Sequence, residues 1–266
     1  MSSQLTALRP EGYRRRLIDD RLAMLLQAFG AVEIVGPKWC GKTWSALSVA
    51  SSVIRLIDRP SRLAVEQDVS LALLGEAPHL IDEWQEVPEV WDAVRMSVDE
   101  AAGCHGRYLL TGSHALKKAE RERVRHSGAD RIGRLKMSSM TLAELGLSDG
   151  TVSLQTLFDG EPFVPHACET SLQDVARWCC RGGWPDVLDL PDELAFEQGS
   201  QYIQAVLDVN VEDEGLSGDL ARRFLRSLAF NVGQAATRPT LLKDAGLDET
   251  SASQANVLDE YLAFFN

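Results

Sequence analysis

The chain has 266 residues, of which 45% are hydrophobic and 25% are charged, and its formal net charge is −12 at pH 7. This composition is that of an ordinary soluble globular protein with a sizeable core. The negative charge argues against non-specific adhesion to nucleic acid over the whole surface, although a local basic patch is still compatible with it.

The number and spacing of the cysteines and the lengths of the apolar runs indicate the cellular compartment. Five cysteines stand at irregular spacing, so we expect a reducing cytoplasm rather than a disulfide framework. The chain opens with no charged-then-apolar leader, and no apolar run approaches the ~18 residues that span a bilayer. We therefore predict a cytoplasmic protein with no membrane partner.

The first predicted element is a helix over residues 13–27, in which apolar side chains form one stripe and arginines and aspartates lie outside it. Its arginine run has two interpretations. One is a solvated face; the other is a contact of Tyr13 or Arg16 with a nucleotide base, because the helix leads directly into the next motif.

That motif is the phosphate loop, residues 36–43, which reads G-P-K-W-C-G-K-T and fits G-x-x-x-x-G-K-[ST]. An apolar run precedes it and a helical pattern follows, as strand–loop–helix requires. We expect its backbone to cradle phosphate, Lys42 to reach the β- and γ-phosphates, and the Thr43 hydroxyl to complete the Mg²⁺ shell. The predicted nucleotide-binding residues are Gly36, Pro37, Lys38, Trp39, Cys40, Gly41, Lys42 and Thr43.

Two adjacent carboxylates, Asp82 and Glu83, follow a short apolar run about forty residues after the loop. We predict that Asp82 holds Mg²⁺ through water and that Glu83 polarises the attacking water. The alternative is a pair of surface carboxylates before a turn.

Three further stretches offer polar groups. Residues 107–113 are predicted as a strand that ends near the γ-phosphate, with Thr111 or, preferably, Ser113 as the contact, and a plain turn as the alternative. The charged helix 117–125 is either a solvated face or a contact for a nucleic acid or partner. Arg131 and Arg134, before a strand-like run at 135–140, could offer a guanidinium to phosphate in the same or a neighbouring chain.

The C-terminal part is predicted as helical, with helices over 195–209, 219–231, 240–245 and 250–265. The last three resemble a helix-turn-helix unit. The final helix has no lysine or arginine over 251–261 and carries Asp259 and Glu260, which favours a packing module over a DNA reader. The chain ends on exposed-looking aromatics, so we expect a truncated chain or an end that needs a partner.

Taken together, G-P-K-W-C-G-K-T, L-I-D-E-W-Q, L-L-T-G-S, R-I-G-R and R-G-G-W-P resemble the prokaryotic AAA+ family ATPases that carry a C-terminal domain of unknown function. The resemblance implies an α/β fold, a P-loop NTPase three-layer αβα core with a five-stranded parallel sheet, followed by a helical lid and a winged-helix-like segment. The implied domains are the ATPase core at 1–145, the lid region at 146–212 and the helix-turn-helix-like segment at 213–266.

The resemblance also implies roles for individual residues. Ser113 matches the sensor position, where the wider family has asparagine. Arg134 or Arg131 matches the arginine that completes a site, often on a neighbouring subunit, and Pro185 matches a lid proline that packs on adenine. Similar proteins continue into a nuclease-like domain, and we expect this chain to end before such a domain.

We therefore expect an ATPase that uses ATP and Mg²⁺, forms a homo-oligomer with an arginine in trans, and couples nucleotide state to a helical module that binds a protein or DNA partner through 213–266. Its catalytic residues would be Glu83, Lys42, Arg134 and Ser113. The alternative is a nucleotide-gated switch, holding ATP or ADP with little turnover; a small-molecule phosphoryl transferase fits less well.

Overall fold

The computed structural model describes residues 8–101, 103–112, 130–162, 169–211, 215–247 and 252–265. The chain divides into two compact units, Met1–Leu190 and Pro191–Asn266. Within the described ranges, none of the helices combines the length and the apolar character needed to cross a bilayer.

The first unit is built on a parallel five-stranded sheet in the order β2-β3-β4-β1-β5. The central strand β1 lies between β4 and β5, and β3 lies next to β4. All carboxyl ends therefore meet at one edge of the sheet, where open α/β sheets bind their ligands. The strands are β1 (Ala31–Val35), β2 (Ser52–Arg55), β3 (His79–Asp82), β4 (Tyr108–Gly112) and β5 (Ile132–Lys136).

Helices cover both faces of this sheet, because the strands are apolar on both sides. The helices of this unit include α1 (Asp19–Ala28), α2 (Lys42–Leu47), α3 (Arg59–Gln67), α4 (Glu89–Glu100), α5 (Leu154–Phe158) and α6 (Leu172–Arg181). Side chains of α1 and α2, such as Leu22 and Ala46, pack with Ile34 on one face. On the other face, side chains of α3 and α4 pack with Ile81 and Leu110. The result is three layers, αβα.

The second unit is helical. It consists of α7 (Asp192–Ala205), a π-helical continuation (Val206–Asn210), α8 (Gly218–Phe230), α9 (Arg238–Asp244) and α10 (Ala252–Phe265). Its own core includes Leu207, Phe224, Leu258 and Tyr261. The Tyr261 hydroxyl donates to Ser217 O at 3.0 Å and accepts from Ser217 N at 2.8 Å, which fastens α10 to the start of α8.

The predicted fold class is confirmed: a parallel α/β sheet of five strands with helices on both faces, followed by a helical part. Most element boundaries differ from the prediction by a few residues, and two of the differences lie close to the site. The first helix begins at Asp19 rather than at residue 13, and the last strand covers Ile132–Lys136 rather than 135–140. Gly133 lies inside that strand because Phe29 packs there: a Cβ at residue 133 would lie 2.8 Å from Phe29 Cδ2.

Candidate functional site

The phosphate loop joins the end of β1 to the start of α2, and its two glycines are required by its shape. Gly41 has φ +99°, in the left-handed region that side chains rarely adopt. At Gly36 a Cβ would lie 2.1 Å from Met137 O, so no side chain fits there. The backbone of the loop therefore lies directly against the segment that follows β5.

Lys42 is buried beneath this loop, with 5% of its surface exposed. Its Nζ donates to Gly36 O at 2.9 Å and to Pro37 O at 2.8 Å. Burial lowers the pKa of the ammonium, and the nearby Cys40, Glu83 and Asp82 oppose that shift. A phosphate group would give the ammonium an anionic partner in place of these carbonyl oxygens.

Asp82, the first residue of the acidic pair, is hydrogen-bonded to the phosphate loop. It ends β3 and is 5% exposed. Its Oδ1 accepts two hydroxyl hydrogen bonds, from Thr43 Oγ1 at 2.8 Å and from Thr111 Oγ1 at 2.5 Å. Thr111 stands opposite Asp82 in the β3–β4 register, so the loop, β3 and β4 converge on one carboxylate oxygen.

Glu83 directly follows β3 with φ 57° and ψ 48°, the left-handed conformation. This turn breaks the alternation of a strand, which would otherwise point Glu83 away from the face that Asp82 occupies. Gln85 Nε2 donates to Glu83 Oε2 at 2.5 Å. The Gln85 Oε1 atom is buried and has no hydrogen-bond partner among the described residues, so within this part of the chain the amide is held on the Glu83 side. A non-glycine residue in the left-handed region is a strain that often marks functional sites.

The donor set at this edge fits Mg²⁺. The Thr43 hydroxyl and the Asp82 carboxylate offer hard oxygen atoms of the kind that Mg²⁺ prefers, and these two oxygens lie 2.8 Å apart. In the described part of the chain, no group of three or more His, Cys, Asp or Glu side chains could hold a metal ion. Mg²⁺ commonly uses one or two protein oxygens and completes its shell with water and substrate phosphates, so two oxygen ligands suit it.

The two predicted arginines both form ion pairs within the chain. Arg134 lies in β5, and its Nε donates to Oε2 of Glu33, its β1 neighbour, at 2.8 Å. This pair accounts for a carboxylate inside a buried strand, because Glu33 is 4% exposed. Arg131 Nε donates to Asp99 Oδ1 on α4 at 2.7 Å. The predicted sensor residue Ser113 and the charged stretch 117–125 lie outside the described residues.

The R-G-G-W-P segment, residues 181–185, lies close to the phosphate loop. Met140 N donates to Gly183 O at 2.7 Å, and a Cβ at Gly183 would lie 2.1 Å from Met140 O. Pro185 Cγ lies 3.6 Å from the position that a Cβ at Gly41 would take. The structure thus brings Pro185 to the second glycine of the phosphate loop.

Sequence reasoning overlooked two residues of this site. Glu144 accepts a hydrogen bond from Arg16 Nε at 3.0 Å. Gln85, the partner of Glu83, was not considered. No local pattern reveals the Glu144 pair, because its two residues are 128 positions apart.

Comparisons with known proteins agree with the fold described above. Residues 28–146 match the family model of an AAA domain. The Walker-type ATPase PABY2304 of Pyrococcus abyssi superposes with a TM-score of 0.57 at 12% identity, over 97% of this chain and 91% of that one. At this identity the likeness is one of fold.

Two weaker structural matches were also found. ORC2 of Aeropyrum pernix has a TM-score of 0.42 at 12% identity, over 97% of this chain and 89% of that one. A point variant of RuvB from Thermotoga maritima has a TM-score of 0.39 at 16% identity, over 95% of this chain and 91% of that one. No curated protein matches the sequence significantly.

Proposed function

Because residues 28–146 match the family model of an AAA domain, we propose that the chain binds ATP and hydrolyses it with Mg²⁺. The observation that carries the proposal is the hydrogen bond between Thr43 and Asp82, which joins the phosphate loop to the acidic pair. The whole set of groups lies at the carboxyl edge of the sheet, where ligands of such sheets bind.

Each residue has a role in this proposal. The loop backbone and Lys42 bind the phosphates, and Thr43 and Asp82 hold the metal. Mg²⁺, when bound, neutralises charge on the β- and γ-phosphates. Glu83 orients the attacking water and takes its proton. Thr111 fixes the Asp82 carboxylate through its 2.5 Å hydrogen bond. Pro185 is proposed to border the base, which its position beside Gly41 supports.

Two substitutions test the proposal. Lys42→Ala should abolish tight ATP binding, because the buried ammonium is the main charge for the phosphates. Glu83→Gln should keep ATP binding and slow hydrolysis by ~10²-fold or more, the usual contribution of a general base. Calorimetric ATP titration and steady-state phosphate release measure the two effects. Hydrolysis at the wild-type rate in Glu83→Gln would contradict the role of Glu83.

A second candidate, a nucleotide-gated switch with little turnover, is favoured by one contact. The Glu83 carboxylate accepts a hydrogen bond from Gln85 at 2.5 Å, so the proposed base must exchange that bond before it can hold a water. Phosphate release separates the candidates: slow release with tight ATP binding supports the switch, and sustained turnover supports the ATPase.

The further parts of the proposal concern partners. We propose that the helical unit transmits nucleotide state to a protein or DNA partner, and that an arginine supplied by a neighbouring copy completes the site. The exposure of the Arg134 side chain, 68%, supports such a role, but this arginine would have to leave Glu33.

A further inference from the structure

Arg16 is a buried arginine behind the phosphate loop, and nothing in the ATPase scheme above uses it. Its side chain and that of Glu144 are each 5% exposed. A buried charge requires a partner and satisfied hydrogen bonds, so a guanidinium in this place needs a physical explanation. The explanation lies in where its three nitrogens point.

Each nitrogen of the Arg16 guanidinium contacts a different segment. Nε donates to Glu144 Oε1 at 3.0 Å, Nη1 donates to Cys40 O at 2.7 Å, and Nη2 donates to Ser138 O at 2.8 Å. Cys40 belongs to the phosphate loop, and Ser138 belongs to the segment after β5. One planar group thus joins the loop to its support.

Glu144 holds this guanidinium in place. Its Oε1 also accepts from Leu17 N at 2.6 Å, and its Oε2 accepts from Thr141 N at 2.7 Å. Burial by itself raises the pKa of the Glu144 carboxyl, but the backbone hydrogen bonds from Thr141 and Leu17 and the Arg16 guanidinium outweigh it, so the pKa lies below its ordinary value. The pair is therefore ionised at neutral pH. Because its charges cancel, it contributes orientation rather than net positive charge.

The contact with Cys40 O acts on the backbone of the loop. In a planar trans peptide, the carbonyl of one residue and the N–H of the next point in opposite directions. Fixing Cys40 O toward Arg16 therefore directs the Gly41 N–H away from Arg16, to the opposite side of the loop. Gly41 depends on such a restraint, because its φ of +99° belongs to a residue with wide conformational freedom.

We propose that Arg16, held by Glu144, is a positioning residue that fixes the Cys40–Gly41 peptide of the phosphate loop for nucleotide binding. The inference rests on the proposed function, since it concerns how that site binds ATP. Lysine cannot replace this arginine, because a single ammonium lacks the planar fork that reaches three acceptors in fixed directions.

The test is calorimetric titration of the full chain with Mg-ATP, at a temperature where circular dichroism shows every variant folded. Arg16→Lys should weaken ATP binding by on the order of 10-fold at unchanged stoichiometry, the effect of losing one hydrogen bond from a charged donor. The matched control is Arg107→Lys. Arg107 Nη1 also donates to a backbone carbonyl, Ser97 O at 3.1 Å, but it precedes β4 at the opposite edge of the sheet. This control should bind ATP as the wild type does.

A second variant allows the inference to be tested if Arg16→Lys folds poorly. Glu144→Gln should also weaken ATP binding. The double variant, Arg16→Lys with Glu144→Gln, should lose no more ATP affinity than the weaker-binding of the two single variants, because both residues act through one contact. Wild-type affinity in Arg16→Lys would overturn the inference. So would a loss of stoichiometry with unchanged affinity, which is the result of a purely structural role.

The two proposals fail in distinguishable ways. If the wild type does not bind ATP, the proposed function is wrong. If the wild type binds ATP, Lys42→Ala does not, and Arg16→Lys matches the wild type, only the role of Arg16 is wrong.

Discussion

The polar groups around the phosphate loop are packed with their partners inside the protein, and this determines their ionisation. Cys40 is fully buried, and burial raises the pKa of its thiol, although Lys42 and Arg16 oppose the shift. A protonated thiol in this position acts as a small apolar side chain against Met137, where its Sγ lies 4.0 Å from the backbone oxygen. Cys40 is thus a packing residue of the loop rather than a nucleophile.

Tyr13 is the residue for which pH gives a direct test. Burial and the adjacent Asp19 raise its pKa from 10.0 to about 12, against the opposing effect of Ser45. Its hydroxyl lies 2.7 Å from Asp19 Oδ1 and 3.0 Å from Ser45 Oγ. Because the folded pKa is the higher one, the stability that Tyr13 contributes is complete below about pH 10 and is lost as the pH rises through about 12.

We therefore expect an ultraviolet absorbance titration of the folded protein to show a late tyrosinate step near pH 12, the raised pKa of this phenol, and Tyr13→Phe to remove it. A late step that persists in Tyr13→Phe would contradict the assignment.

At the scale of elements, β5 is attached to β1 by a charged pair as well as by the sheet. The Glu33 side chain is 5% exposed, whereas that of Arg134 is 68% exposed. Removing the arginine leaves a carboxylate inside the sheet with its main partner gone, which is costly. Solvent screening of the exposed guanidinium reduces that cost below the value for a fully buried pair.

We expect Arg134→Ala to lower the free energy of unfolding by about 1–2 kcal/mol, measured by urea denaturation. Adding Glu33→Gln should recover part of the lost free energy of unfolding, because the Glu33 carboxylate that has lost its arginine partner is then removed. Arg131→Ala, which breaks the exposed pair with Asp99, should change stability little. Unchanged stability in Arg134→Ala, together with loss of ATP-dependent assembly in light scattering, would instead indicate an arginine that acts in trans.

The sequence predicts those elements that local patterns encode. The order of β1, phosphate loop and α2 follows from an apolar run, a glycine motif and a helical period that lie next to one another in the chain. The position of Asp82 beside the phosphate loop could be predicted, because the carboxyl ends of parallel strands meet at one edge. Local patterns do not predict where α1 begins, because Leu17 donates its N–H to Glu144 instead of continuing a helix. Tertiary contacts of this kind override the helical period of residues 13–18.

At the scale of the whole molecule, charge separates the partner hypotheses. The range 191–266 contains thirteen acidic and five basic residues. One of the basic side chains, Arg238 on α9, is paired with Asp259 on α10. A surface of this sign repels a phosphate backbone, whereas DNA-binding proteins gain most of their affinity from lysine and arginine contacts to phosphate. A protein partner for the helical unit is the better expectation.

We accordingly expect the full chain, with Mg-ATP, to show no binding of labelled duplex DNA in fluorescence anisotropy at physiological salt. A titration repeated at low salt serves as the control, because weak electrostatic contacts would appear there first. Saturable binding at micromolar protein and physiological salt would favour a DNA partner.

The position of Pro185 beside Gly41 has a consequence for biosynthesis. Pro185 lies beside the second loop glycine, and Gly183 is hydrogen-bonded to Met140, so residues distant in the chain together form one wall of the site. During translation the phosphate loop is synthesised long before Pro185. We therefore expect a nascent polypeptide to form the central strands first and to complete this wall of the candidate site only after residues 183–185 have left the exit tunnel.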